Sequence, residues 1–220
     1  MSSFPNSPRI LKGGIVLLDP DTFAVLPNGV ITLQYNPDTL TRTLKIKGAE
    51  EGGDRSEAMR LTGPPVETIK LDADIDATDQ LEFPDKNPGV MQLGIFPQLA
   101  ALERIAYPAS SALQNNFSLA QQGVLEIMPM IAPLMLFIWS ASRIVPVRLT
   151  DFSITEEAFD PLLNPIRAKV SLGLRVLSID DLNFADKGGS LYMVYQQQKE
   201  RMATMNTGGT LGALGVRGAL

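Results

Sequence analysis

Four aspartates, Asp72, Asp74, Asp76 and Asp79, fall close together, the first three at every second position. Acids in that spacing open a calcium loop of the EF-hand kind, which also needs a glycine for its sharp turn and a bidentate glutamate at its end. Here Ala77 stands where the glycine belongs and Phe83 where the glutamate belongs. The simpler reading is an acidic stripe on one face of a β-strand, turned to solvent or to a lumen. Other chemistries are thinner still. The chain has no histidine and no cysteine, which removes the usual zinc sites, Ser-His-Asp and Cys-His nucleophiles, thiol redox work and disulfides. A pair of glycosidase carboxylates can be drawn from any 24 acids, but no two are marked by distinct environments. No Gly-Lys-Ser/Thr phosphate loop and no dinucleotide fingerprint occur. The residues predict a protein that is no enzyme, holds no metal and uses no cofactor.

The elements that would carry these residues belong to one large domain with appendages, the size that 220 residues allow. With 45% hydrophobic and 20% charged residues, the chain has ample material for a core. A net charge of −5 without any long Lys/Arg run argues against nucleic acid as a partner. The N-terminus, Met1 to Asn6, lacks the basic and apolar segments of a secretory signal. Val124 to Trp139 is the most apolar stretch, but Glu126, Pro129 and Pro133 interrupt it and it is too short to span a bilayer. Leu134 to Trp139 is expected to be a buried strand with Trp139 in the core.

Period two dominates. Ile166, Ala168, Val170, Leu172, Leu174 and Val176 alternate with Arg167, Lys169, Ser171, Gly173 and Arg175, which predicts one long half-buried strand. Before it, Val145, Val147 and Leu149 alternate with Pro146 and Arg148, and the apolar phase then jumps to Phe152 and Ile154. A jump of one residue predicts a bulge near Thr150 or Asp151. Asp160-Pro161 and Asn164-Pro165 are turn formers, so Glu157 to Pro165 should join the two strands as a hairpin. Further strands are expected over Ile31 to Tyr35, ended by Asn36-Pro37-Asp38, over Ile69 to Ile75, and over the shorter Gly14 to Leu18 and Leu44 to Ile46, giving six or seven in all.

Two segments have the helical period. Ile95, Leu99, Leu102 and Ile105 share a face, with Pro97 in the first turn and Pro108 closing the element. Leu191, Tyr195, Met202 and Met205 share a second, begun after a Ser190 cap and stopped at Gly208-Gly209. Gly48 to Pro65 and Tyr107 to Gln122 read as surface loops. The spacing of Gly209, Gly212, Gly215 and Gly218 is too short and lacks the proline for collagen. It reads as a flexible tail, or as a docking strap with Leu211, Leu214 and Val216 as apolar contacts.

Several ordered motifs resemble one family. They are Gln34-Tyr35-Asn36-Pro37-Asp38-Thr39-Leu40, Asp76-Ala77-Thr78-Asp79-Gln80-Leu81-Glu82 and Pro97-Gln98-Leu99-Ala100-Ala101-Leu102-Glu103, then Pro146-Val147-Arg148-Leu149, Ile154 to Asp160 and Leu163 to Ala168. Together they resemble the tube-protein domain of contractile injection systems, phage-tail-like particles whose sheath contracts to drive an inner tube outward. The resemblance covers roughly residues 12 to 182. It implies a mainly β (α+β) fold, a tube-protein-like antiparallel β-barrel or sandwich with a packed helix and a C-terminal helix. It divides the chain into an N-terminal segment 1–11, a tube-like β domain 12–182 and a C-terminal helix with glycine-rich tail 183–220. It implies a structural role: a homohexameric hub adaptor ring in the baseplate, joining a trimeric spike protein to the hexameric inner tube protein and touching other baseplate proteins. Assembly would begin in the cytoplasm, with the finished particle outside the cell or anchored at a membrane and no membrane insertion by this chain. Relatives often add a peptidoglycan-binding LysM module, and the segment after Leu182 is too short for one.

The residues support assembly in one respect of their own, because long amphipathic strands expose edges that neighbouring copies can cover. Candidate contacts between copies or rings are the bases Arg143, Arg148, Arg167, Lys169 and Arg175 and the acids Asp72, Asp74 and Asp76. The competing reading is a stand-alone β-rich carbohydrate- or protein-binding module, which should be monomeric and carry a concave aromatic-lined site.

Overall fold

A computed structural model describes residues 10–48, 60–122 and 132–209. The chain is mainly β, a seven-stranded antiparallel sheet with short helices and a long C-terminal one. Strands β1 (Gly14–Leu18), β2 (Val25–Thr32), β3 (Leu40–Lys45) and β4 (Val66–Asp76) come first. Helices α1 (Thr78–Leu81), α2 (Pro88–Leu93), α3 (Phe96–Glu103) and α4 (Ser110–Gln121) come next, then β5 (Leu134–Ser140), β6 (Arg143–Phe159), β7 (Pro165–Val176) and helix α5 (Lys187–Thr204). The sheet order is β2-β1-β5-β6-β7-β4-β3. None of the helices described is long and apolar enough to cross a membrane.

The alternating residues of β4, β6 and β7 build the main core. Ile69, Leu71, Ala73 and Ile75 point inward from β4, and Ala168, Val170, Leu172, Leu174 and Val176 from β7. They pack with Phe137 of β5, Val145 and Val147 of β6, and Ile95, Leu99 and Leu102 at and in α3. The jump in apolar phase on β6 is a bulge. Leu149 pairs with Leu174 and Asp151 with Gly173, so Thr150 is the extra residue and Phe152 returns to the inner face. Gly173 permits this, because a Cβ there would lie 2.6 Å from an Asp151 carboxylate oxygen. Strand β5 reads as an unbroken apolar run because both its faces are covered. Met135 and Phe137 enter the main core, while Leu134 and Leu136 pack on Leu18 in a second cluster that includes Leu182 and Leu191. Trp139 stacks on Phe137 with ring centres 5.9 Å apart.

Four expectations need correction. The sheet does not close into a barrel. Its end strand β2 instead approaches β4, the last strand but one at the other end, across α3, enclosing a cavity of about 200 Å³ with Gln98, Ala101 and Leu102 as its floor. The strand expected to reach Tyr35 ends at Thr32, because the next residues turn away to clasp the backbone of Asp76 and Gly13 through side-chain amides. The segment expected to be a loop up to Gln122 is largely helix α4, whose Ala, Leu and Gln favour a helix although it buries no residue. Helix α5 begins at Lys187 after Asp186, not after Ser190, and ends at Thr204. Its buried face is Gly188, Gly189, Tyr192 and Tyr195, with Met202 and Met205 exposed. The two glycines let the helix approach the preceding chain: a Cβ on Gly189 would meet the Asn183 carbonyl at 2.4 Å. Most of the expected Gly48–Pro65 loop and nearly all of the glycine-rich tail lie outside the described residues.

Candidate functional site: the sheet face, its edges and a buried charge knot

The acidic stripe and the basic stripe prove to be neighbours in one chain. Antiparallel pairing sets Asp72 across from Ser171, Asp74 across from Lys169 and Asp76 across from Arg167 on the outward face. Arg167 Nε donates to Asp76 Oδ2 at 2.8 Å, and Ser171 Oγ to Asp72 Oδ1 at 2.5 Å. Burial alone would raise the Asp76 pKa. The bonds from the Thr78 hydroxyl and amide, with the Arg167 charge, outweigh it and hold that carboxyl below its ordinary range. Arg175 is held by Asp181 at 2.6 Å. Lys169 makes no ion pair among the described residues, and neither does Arg148, which stands directly across from Arg175. Arg143 lies at the start of β6, opposite Ser140, and its charge reaches Tyr195. The structure therefore gathers Asp72, Asp74, Asp76, Arg167 and Lys169 on one patch, and leaves Arg143, Arg148 and Arg175 at the other end of the long strands.

The sheet's two ends differ in how their edges are guarded. β3 carries Arg42 and Lys45. β2 carries no charge at all, and its Val30 is 60% exposed; Pro27 guards only its first half. Beyond β2, two side-chain amides imitate strand partners. Gln34 Oε1 accepts from the Asp76 amide at 3.0 Å while its Nε2 donates to the Asp76 carbonyl at 2.6 Å. Asn36 Oδ1 accepts from the Gly13 amide at 2.9 Å and its Nδ2 donates to the Leu11 carbonyl at 2.7 Å. The Gln34 clasp holds the chain after β2 to the end of β4 without a ladder, and the Asn36 clasp ties it to the residues leading into β1. Because Asp76 turns both its backbone groups to Gln34, Asp74 two residues earlier turns its own toward the same unladdered seam.

One cluster escaped the sequence reading. Glu67 is only 3% exposed. Arg42 Nε donates to its Oε1 at 2.7 Å, the Tyr195 hydroxyl donates to the same oxygen at 3.0 Å, and Lys199 Nζ stands 3.9 Å from Oε2. Arg42 Nη2 also donates to the Tyr195 oxygen at 2.9 Å, and Lys199 lies over the Tyr195 ring at 4.2 Å. This knot ties α5 to β3 and β4. Burial, then the Glu67 charge, pushes the Tyr195 phenol up to about 12. Burial lowers Lys199 despite Glu67, whereas the bond to Glu67 raises Arg42. A signal was present in the sequence, since Glu67 is in phase with Ile69, Leu71, Ala73 and Ile75 and so had to face inward.

The sequence matches no protein-family model and no curated protein. Among solved structures the chain is similar to one from the tail of an empty GTA particle, computed with helical refinement and C6 symmetry. The superposition has a TM-score of 0.29 at 10% identity and covers 75% of this chain and 90% of that one. No functional conclusion rests on a likeness at that level.

Proposed function

We propose that the chain is a structural subunit of a ring, in which neighbouring copies cover one another's sheet edges and no side chain reacts. The observation that carries this is the pair of free edges, β2 and β3, at the two ends of an unclosed sheet. An edge strand without a ladder partner is a template for pairing with another chain, and a head-to-tail contact between two different edges closes into a ring when the rotation allows. The finer reading comes from the sequence motifs: a hexameric baseplate adaptor of a contractile injection system, between a trimeric spike and the inner tube. Lys169, unpaired within the described residues, and the Asp74 carboxylate across from it are the charges most available to a neighbouring ring.

Size-exclusion chromatography with light scattering on the full chain tests this. The expected mass is six times that of one chain, and Val30→Lys, which places a charge on the β2 edge, should abolish the six-chain species. A wild-type mass of one chain at every concentration supports the stand-alone binding module instead.

A further inference from the structure

The two ends of the β6–β7 hairpin are built differently. At its tip Leu162 and Leu163 are 78% and 76% exposed, yet the turn that displays them is fixed. The Asp160 carboxylate accepts from the Leu162 amide, the Asn164 amide and Asn164 Nδ2, each at 2.8 Å. Asn164 Nδ2 also donates to the Gln92 carbonyl at 3.1 Å, which joins the tip to the corner between α2 and α3. Leu163 has φ +66°. A leucine in that left-handed region crowds its Cβ against the backbone, a strain that glycine would not bear. Strain of this kind persists where the strained residue is used, and here the strained residue displays an apolar side chain to solvent. Phe159, Leu93 and Phe96, each about half-exposed, widen the patch, and the exposed acids Glu156 and Glu157 stand next to it along β6.

At the hairpin's other end lies a cleft of about 590 Å³, walled by Leu17, Phe23, Leu134, Met135, Leu149 and Leu177 among others. That is the size of pocket that takes a sizeable apolar group. Arg148 lines it without an ion pair among the described residues. Asp186 lines it as well, and Lys187 stands 5.5 Å from the Phe23 ring centre. The cleft thus presents one base without an ion pair among the described residues, Arg148, while acids flank the tip.

We propose that the hairpin tip of one copy seats in this cleft of a second copy. Leu162 and Leu163 enter the apolar cavity, and Glu156 and Glu157 lie against Arg148. The tip cannot reach its own cleft, because Leu149 and Phe159 are ten residues apart on β6, about 33 Å at 3.3 Å per residue. The contact is head-to-tail and runs along the strands. It is independent of the lateral pairing of β2 and β3 edges.

The absence of cysteine from the chain makes the test direct. Full-length Leu163→Cys and Leu177→Cys chains, carrying tags of different mass, are mixed and oxidised. The expected product is the mixed disulfide, at least about tenfold over either homodimer, and a statistical mixture overturns the proposal. In sedimentation, Leu163→Gly should weaken association by about tenfold, a typical loss for a buried interface anchor, while its unfolding midpoint stays level or rises as strain is relieved. Unchanged association in that variant also overturns the proposal. Adding Val30→Lys separates the two contacts, since it should abolish the ring and leave the mixed disulfide intact.

Discussion

Two carboxylate–guanidinium pairs on β4 have almost the same geometry and opposite meanings. Arg42–Glu67 and Arg167–Asp76 are 2.7 and 2.8 Å long. The first sits inside, where Glu67 is also held by Tyr195 and faced by Lys199. The second lies on the outward face, with Arg167 half-exposed. Burial separates them. In water an ion pair gains little over its hydrated partners, whereas a buried charge left alone is costly. The inner pair fixes where α5 rests on the sheet, and the outer pair leaves a nearly neutral, polar face free for neighbours.

Breaking each pair in turn measures that difference. Glu67→Ala should have the largest effect, a loss of about 3 kcal/mol in urea unfolding. That is the low end for removing one partner of a buried pair, because Arg42 and Lys199 keep some access to water. If Glu67→Ala proved as mild as a surface change, the knot would not be what holds α5. Alkaline pH is the second probe. The Tyr195 phenol is raised from its ordinary 10 to about 12, so the folded state favours its neutral form. That contribution is complete below pH 10 and is lost as pH climbs toward 12. Wild type should lose ~1–2 kcal/mol across that window that Tyr195→Phe does not lose, read from urea midpoints between about pH 9 and 12. The smallest effect belongs to Arg167→Ala, about 0.5 kcal/mol, the ordinary value of an exposed pair. A loss several times larger would place the outer pair in the same class as the inner one.

Much of the fold was legible because period-two alternation is a local property. It marked β7 nearly residue for residue and β4 from Ile69 to Ile75, and the slip of apolar phase on β6 pointed to the bulge at Thr150. Turn formers at Asp160 and Asn164 marked the hairpin. Helix α3 was equally plain from Ile95, Leu99 and Leu102. The errors fell where a local pattern had no local consequence. Helix α4 buries no residue, and Ser, Asn and Gln dilute its few apolar positions, so its sequence reads as a loop. The β2 strand stops at Thr32 because Gln34 and Asn36 reach backbone groups 42 and 25 residues away.

Residue types and short-range spacing were enough for the strands, their inward faces, the bulge and the exclusion of histidine and cysteine chemistry, since each depends on a few neighbours along the chain. They were not enough to show that acids 72–76 would meet bases 167 and 169 within one chain, that Glu67 would gather Arg42 and Tyr195, or that the barrel would stay open with two free edges. Those outcomes belong to the folded molecule. They depend on strand order and register between segments as much as 153 residues apart, which loop closure and core packing select for the whole chain at once.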